Sequence, residues 1–129
     1  MSRVNVSQLV EMALVEFSDI VIDAFVPGPN ELRIFLVEGS YLDAWYSLKL
    51  EGRFSLHWER RAIDGRIYRH DNAPHLRWQT VSSFPLHFHD GDEETVTTSD
   101  LHPLPENALR EFLCFIRKTI ETPSRPVSD

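Results

Sequence analysis

Only one cysteine, Cys114, stands among the 129 residues, so no intrachain disulfide can form and no thiolate cage can hold a metal. No apolar run approaches the roughly 20 residues that a membrane-spanning helix requires. The chain lacks a P-loop, a dinucleotide fingerprint, a nucleophile elbow and a helical H-E-x-x-H. Excess positive charge is missing as well. The net charge of −7 argues against a general nucleic-acid coat. The opening stretch, MSRVNVSQLVEMALVEF, has no compact apolar block followed by a small-residue cleavage site. It reads as an amphipathic helix and not as a signal peptide, and the expected location is cytoplasmic.

What is present suits one folded unit. A hydrophobic content of 42% in a chain of this size supports a single core, so residues 1–122 are expected to form one domain and 123–129 a flexible tail. Val6, Leu9, Val10, Ala13, Leu14 and Phe17 recur at helical spacing, which predicts a helix from about Ser7 to Ser18. DIVIDAF at 19–25, ELRIFLV at 31–37, YLDAWYSLKL at 41–50, FSLHWERRA at 54–62 and RIYRHDN at 66–72 read as strands separated by turns. Val81 to Leu101 is irregular, with a short strand around Phe84–His89. Leu109, Phe112, Leu113, Ile116 and Ile120 define a last helix over Glu106–Ile120. The expected fold is α+β: an antiparallel meander of about five or six strands, with the N-terminal and C-terminal helices on one face.

The hairpins decide what the other face carries. A two-residue Asp64-Gly65 turn would pair Arg61 with Tyr68 and Glu59 with His70. A three-residue loop at 51–53 would pair Tyr46 with Trp58 and Leu48 with Leu56, apolar against apolar. In that register Leu42, Ala44, Tyr46, Leu48, Leu50, Leu56, Trp58, Ala62 and Ile67 share the core face. Trp45, Lys49, His57, Glu59, Arg61, Tyr68, His70 and Asn72 share the open one. Trp45 and Tyr68 could stack on bases and Arg61 could meet phosphate, while His57 and His70 could bind substrate or carry protons. An outer sheet face that is simply wet is the plain alternative.

Charge and histidine concentrate in the same part of the chain. Net charge is −5 over residues 1–52, +3 over 53–79 and −5 over 80–129, and all six basic residues of the middle segment are arginines. Four of the six histidines lie between His70 and His89, in YRHDNAPH and FPLHFHDGDEE. His87-x-His89 on an extended segment puts both imidazoles on one side, where they can chelate. Two histidines of near-neutral pKa with an arginine can also cleave RNA through its own 2′-hydroxyl without a metal. The Asp71-Asn72-Ala73-Pro74 run is also ordinary turn chemistry.

YRHDNAPH followed by SSFPLHFHDGDEETV resembles the TumE family of toxins from toxin–antitoxin pairs, whose members show a DNAPHH…TFPHHKH pattern. The resemblance covers about residues 66–101 closely. It implies an intracellular toxin acting as a ribonuclease, with no metal or cofactor. It also implies inhibition by an antitoxin that carries a DNA-binding domain and is encoded beside it, with a homodimer or a toxin–antitoxin hetero-oligomer as the assembly. The matching positions are Asp71, Asn72, Ala73, Pro74, His75, Phe84, Pro85, His87 and His89. His75, His87 and His89 would then be acid–base residues oriented by Asp71 and Asn72, with Arg69 on phosphate. Leu76, Leu86 and Phe88 depart from the pattern, replacing two histidines and a lysine. A non-catalytic protein-binding module and a His/Asp metal-dependent hydrolase are the competing readings.

Overall fold

The computed structural model describes residues 4–121; the tail expected at 123–129 lies outside them. The elements are α1 (Val6–Glu16), β1 (Val21–Gly28), β2 (Glu31–Leu36), β3 (Tyr41–Tyr46), β4 (Phe54–Arg60), α2 (Arg61–Asp64), β5 (Arg66–Asp71), β6 (His87–Gly91), β7 (Val96–Thr98) and α3 (Pro105–Glu121). A single 3-10 turn, Leu76–Trp78, interrupts the long segment between β5 and β6. The seven strands form one antiparallel sheet in chain order. The fold is α+β, as the periodicities indicate. Among the described residues it has seven strands where five or six were expected, because three-residue β7 is too short to leave a period-2 pattern. Among the described residues, no helix is long and apolar enough to cross a membrane.

Both helices cover one sheet face. The Asn5 side chain caps α1 by accepting from the Gln8 N–H at 3.2 Å. Leu9, Met12 and Ala13 of α1 and Leu109, Phe112, Leu113 and Ile116 of α3 are buried with Leu32, Ile34, Leu42, Ala44, Leu56 and Trp58. Trp58 is fully buried, stacks on Tyr68 at 5.3 Å and meets Phe115 of α3 edge-on at 6.1 Å.

Two hairpin registers differ from expectation, with opposite consequences. At β3–β4, Trp58 lies opposite Leu42 and not Tyr46. This shift of four residues is even, so each side chain keeps its face, but Leu48 and Leu50 leave the strand and stand exposed. At β4–β5, Tyr68 lies opposite Trp58 and not Arg61. That shift of three is odd and turns β5 over. The cause is α2: residues 61–64 make a helical turn closed by Gly65 in the left-handed region (φ 78°), where glycine carries no steric penalty. Asp-Gly suits a tight hairpin and a helix end equally. Stacking Tyr68 on Trp58 beneath α3 selects the second. Tyr68 and His70 therefore face the helices, Arg69 and Asp71 face the other side, and Ile67 is buried on that other face.

His70 is consequently a core histidine. Its ring stacks on Phe88 at 4.4 Å, meets Phe112 edge-on at 5.0 Å and bonds through Nδ1 to Ser99 Oγ at 2.7 Å. Burial lowers its pKa to about 4, against the pull of Asp100 and Asp71. The unfolded chain therefore takes up this proton first, near pH 6.5. Stability from neutral His70 is complete above that pH and declines as pH falls from about 6.5 toward 4, by roughly 3 kcal/mol at most. Urea unfolding in chelator at pH 7 and pH 4.5 should show the decline, and His70→Gln should reduce it.

Candidate active site

The inverted β5 brings three side chains together on the face opposite the helices. Asp71 pairs with His87 and Arg69 with His89 across the β5–β6 ladder. His87 and His89 are two residues apart on one strand, so they project to the same side. Asp71 Oδ1 lies 3.3 Å from His87 Nε2, and Asp71 Oδ2 lies 3.7 Å from His89 Nε2. The three ligand-capable atoms lie within 4.8 Å of one another. His87 is 0% exposed and His89 3%.

The backbone fixes the direction of both rings. His87 Nδ1–H donates to the Pro85 carbonyl at 2.8 Å, and His89 Nδ1–H donates to the Glu93 carbonyl at 3.0 Å. With Nδ1 donating, Nε2 of each ring faces Asp71, as a lone pair wherever the ring is in its neutral form. Burial, followed by the neighbouring Arg69 charge, pushes the His89 pKa below its ordinary value, favouring that neutral form. Asp71 also accepts from Arg69 Nε at 3.1 Å and from the Ala73 N–H at 3.0 Å.

The model of the TumE family, described as "Toxin TumE", matches residues 9–120. The chain belongs to the TumE toxin family. No curated protein and no solved structure matches it. The match runs from within α1 almost to the end of α3, so the cluster lies inside the TumE domain.

Around the cluster the TumE chain sets aromatic and charged groups. Trp78, on the 3-10 turn, has its ring 5.9 Å from His89 and 6.3 Å from His87, and the exposed Arg77 guanidinium stacks on Trp78 at 4.4 Å. His57 accepts from Arg69 Nη1 at 3.1 Å through Nδ1, leaving Nε2–H to donate to Glu59 at 3.0 Å. Glu93 bridges Arg69 and exposed Arg61, while Glu94 pairs with Arg77. Arg61, Arg69 and Arg77 thus each meet a carboxylate from the β6–β7 loop. Glu93→Gln should take one carboxylate partner from each of Arg61 and Arg69, and binding of a polyanion such as RNA should tighten about fivefold or more at low salt, with a steeper salt dependence, in fluorescence anisotropy. The His89 contact is to the Glu93 backbone and survives this change.

The fold brings some of the residues singled out from the sequence together and separates the others. Asp71, His87, His89, Arg69 and His57 come together, and Arg61 joins their edge through Glu93. Trp45 lies on the same sheet face, in β3, and is 39% exposed. Tyr68 and His70 do not reach this face and are corrected to core residues by the β5 inversion. Asn72 is engaged elsewhere: its amide donates to the Gly52 carbonyl at 2.8 Å and its oxygen accepts from the Phe54 N–H at 3.0 Å, tying the end of β5 to the β3–β4 loop. His75 is exposed at the start of the 3-10 turn and is not part of the cluster.

Glu93 was not legible as a site residue. GDEE reads as a solvated turn, and only the fold returns Glu93 to Arg69. A groove lined by Leu48, Phe54, Leu86, Leu104 and Pro105 includes none of the Asp71–His87–His89 cluster.

Proposed function

We propose that this toxin cleaves RNA at the Asp71–His87–His89 centre. One observation carries the reading: two buried imidazoles hold their Nδ1 protons on backbone carbonyls and converge through Nε2 on one carboxylate. A pair of aligned Nε2 lone pairs in a shielded site is a means of activating an attacking oxygen. Scission of a phosphodiester through the adjacent 2′-hydroxyl has three requirements. The hydroxyl loses its proton and attacks phosphorus. The P–O5′ bond breaks. The leaving oxygen gains a proton while the extra negative charge is stabilised. Arg69, bonded to Asp71, and Arg61, joined to it through Glu93, are cations available for that charge once phosphate displaces Glu93.

RNA as substrate is supported by the flanking stacking groups. Trp78 with Arg77, and Trp45 on the open face, offer flat surfaces of the kind that hold unpaired bases. The acidic remainder of the chain would disfavour indiscriminate binding to duplexes. As a TumE toxin the protein would be restrained by an antitoxin partner, which on this reading carries its own DNA-binding domain and is encoded alongside. The test is incubation of purified protein with structured and single-stranded RNA, followed by mapping of the new 5′ ends. Wild type should cut single-stranded regions, and Asp71→Asn should cut at least about 100-fold more slowly. Equal cleavage by both proteins, or none by wild type, refutes the reading.

A further inference from the structure

We infer that Asp71, His87 and His89 form a binding site for a divalent transition-metal ion of the zinc class. His87 Nε2 is fully buried and has no hydrogen-bond partner among the described residues. It lies 3.3 Å from Asp71 Oδ1, yet a ring proton there would not point at that oxygen well enough to bond. A proton on Nε2 therefore does not satisfy this atom. An unsatisfied nitrogen beside an unshared carboxylate lone pair is costly in a dry interior. A cation between them resolves both.

The donor set and spacing fit. A tetrahedral ion with bonds of about 2.0–2.1 Å holds neighbouring ligand atoms roughly 3.3–3.4 Å apart. Asp71 Oδ1 and His87 Nε2, 3.3 Å apart, already match that value; the other carboxylate oxygen, Oδ2, lies 3.7 Å from His89 Nε2, and one ligand atom from each of the three residues falls within 4.8 Å of the others before any ion draws them in. Each imidazole donates Nδ1–H to a backbone carbonyl, the outer contact that sets the tautomer of a metal-ligating histidine. Two histidines and a carboxylate leave at least one coordination position for water or substrate, the pattern of a catalytic zinc and not of a closed structural one. Arg69 Nε on Asp71 Oδ2 orients the carboxylate from outside.

Ion binding is read from the geometry and stands whatever the substrate; that the ion serves RNA cleavage rests on the function proposed above. This assignment departs from the metal-free acid–base arrangement expected from the sequence. It leaves exposed His75 outside the centre and gives both buried histidines one task.

The experiment uses full-length protein purified without a histidine tag, stripped with chelator and dialysed. Zn²⁺ is titrated by calorimetry, and Co²⁺ by its d–d absorption, which reports low coordination number. The expected result is about one ion per chain with micromolar or tighter affinity, a raised melting temperature, and loss of at least about tenfold in affinity for Asp71→Asn and for His89→Gln. His102→Gln, in the loop before α3 and outside the cluster, should bind as wild type. Circular dichroism confirms that each variant is folded. Failure of the folded wild type to bind Zn²⁺ or Co²⁺ overturns the inference without reference to any variant. So does undiminished binding by both cluster variants.

RNA assays on the same samples separate the two proposals. Binding without cleavage in any metal state supports the ion site and refutes the RNA reading. Full cleavage by stripped protein in chelator, with no ion bound, refutes a role for the ion in cleavage and leaves the RNA reading standing, while the Zn²⁺ and Co²⁺ titrations decide the site itself.

Discussion

His89→Gln should abolish measurable RNA cleavage by purified protein, a loss of about 10²–10⁴-fold in rate, while leaving the protein folded. The expectation follows from the neighbours of His89. Its Nδ1–H is held by the Glu93 carbonyl, its Nε2 faces Asp71, and its ring stands against Trp78. Glutamine can retain the Glu93 contact through its amide but cannot present a basic nitrogen toward Asp71. A role confined to packing would instead appear as a lower unfolding midpoint with cleavage per folded molecule unchanged. Single-turnover cleavage, normalised to the folded fraction, separates the two. Chemistry at this centre predicts that the rate falls far more than stability does. Asp71→Asn and His87→Gln should fall with it, and the double variant Asp71→Asn/His89→Gln should cost little more than either single one, because the three groups act as a unit.

The second large effect concerns the sheet. Trp58→Ala should destabilise the protein by about 3–5 kcal/mol, because a fully buried indole is replaced by a cavity beneath α3. The substitution also removes the Trp58 Nε1–H donor from the Ser40 hydroxyl, a bond of 2.8 Å, and leaves that hydroxyl only its bond to Glu38. A double-mutant cycle with Tyr68→Ala tests the register itself. The rings stack at 5.3 Å, so the two changes should couple by about 0.5–1.5 kcal/mol. In the register of a two-residue Asp64-Gly65 turn, Tyr68 would lie on the opposite face from Trp58 and the cycle would close near zero. Urea unfolding of the four proteins measures the coupling. A value near zero would mean that β5 is not inverted, and Asp71 could not then reach His87.

The same hairpin marks where the sequence stops being legible. The apolar spacing of Leu9, Ala13 and Phe17, and of Leu109, Phe112 and Ile116, announces two one-sided helices, and the meander follows from runs bounded by turn residues. His87 and His89 fall on one side because a strand alternates, whatever its partners. Asp71 is different. Its face depends on whether residues 61–64 form a helical turn or continue the strands, and Asp64-Gly65 satisfies both. Only the fit of Tyr68 between Trp58, Phe88 and Phe115 decides, and that fit is tertiary. Trp78 and Glu93 lie in loops, where no periodicity links residues distant in sequence, so their approach to His89 and Arg69 becomes apparent only in the fold.

The TumE assignment brings a toxin; the geometry supplies the atoms on which toxicity should depend. Induced expression in a bacterial host, with growth followed alongside soluble protein level, tests that dependence most directly. Wild type should arrest growth, and Asp71→Asn, His87→Gln and His89→Gln should each permit it at equal soluble expression, with His102→Gln still toxic. Growth arrest by all three cluster variants at wild-type potency would contradict the claim that Asp71, His87 and His89 are the toxin's active centre.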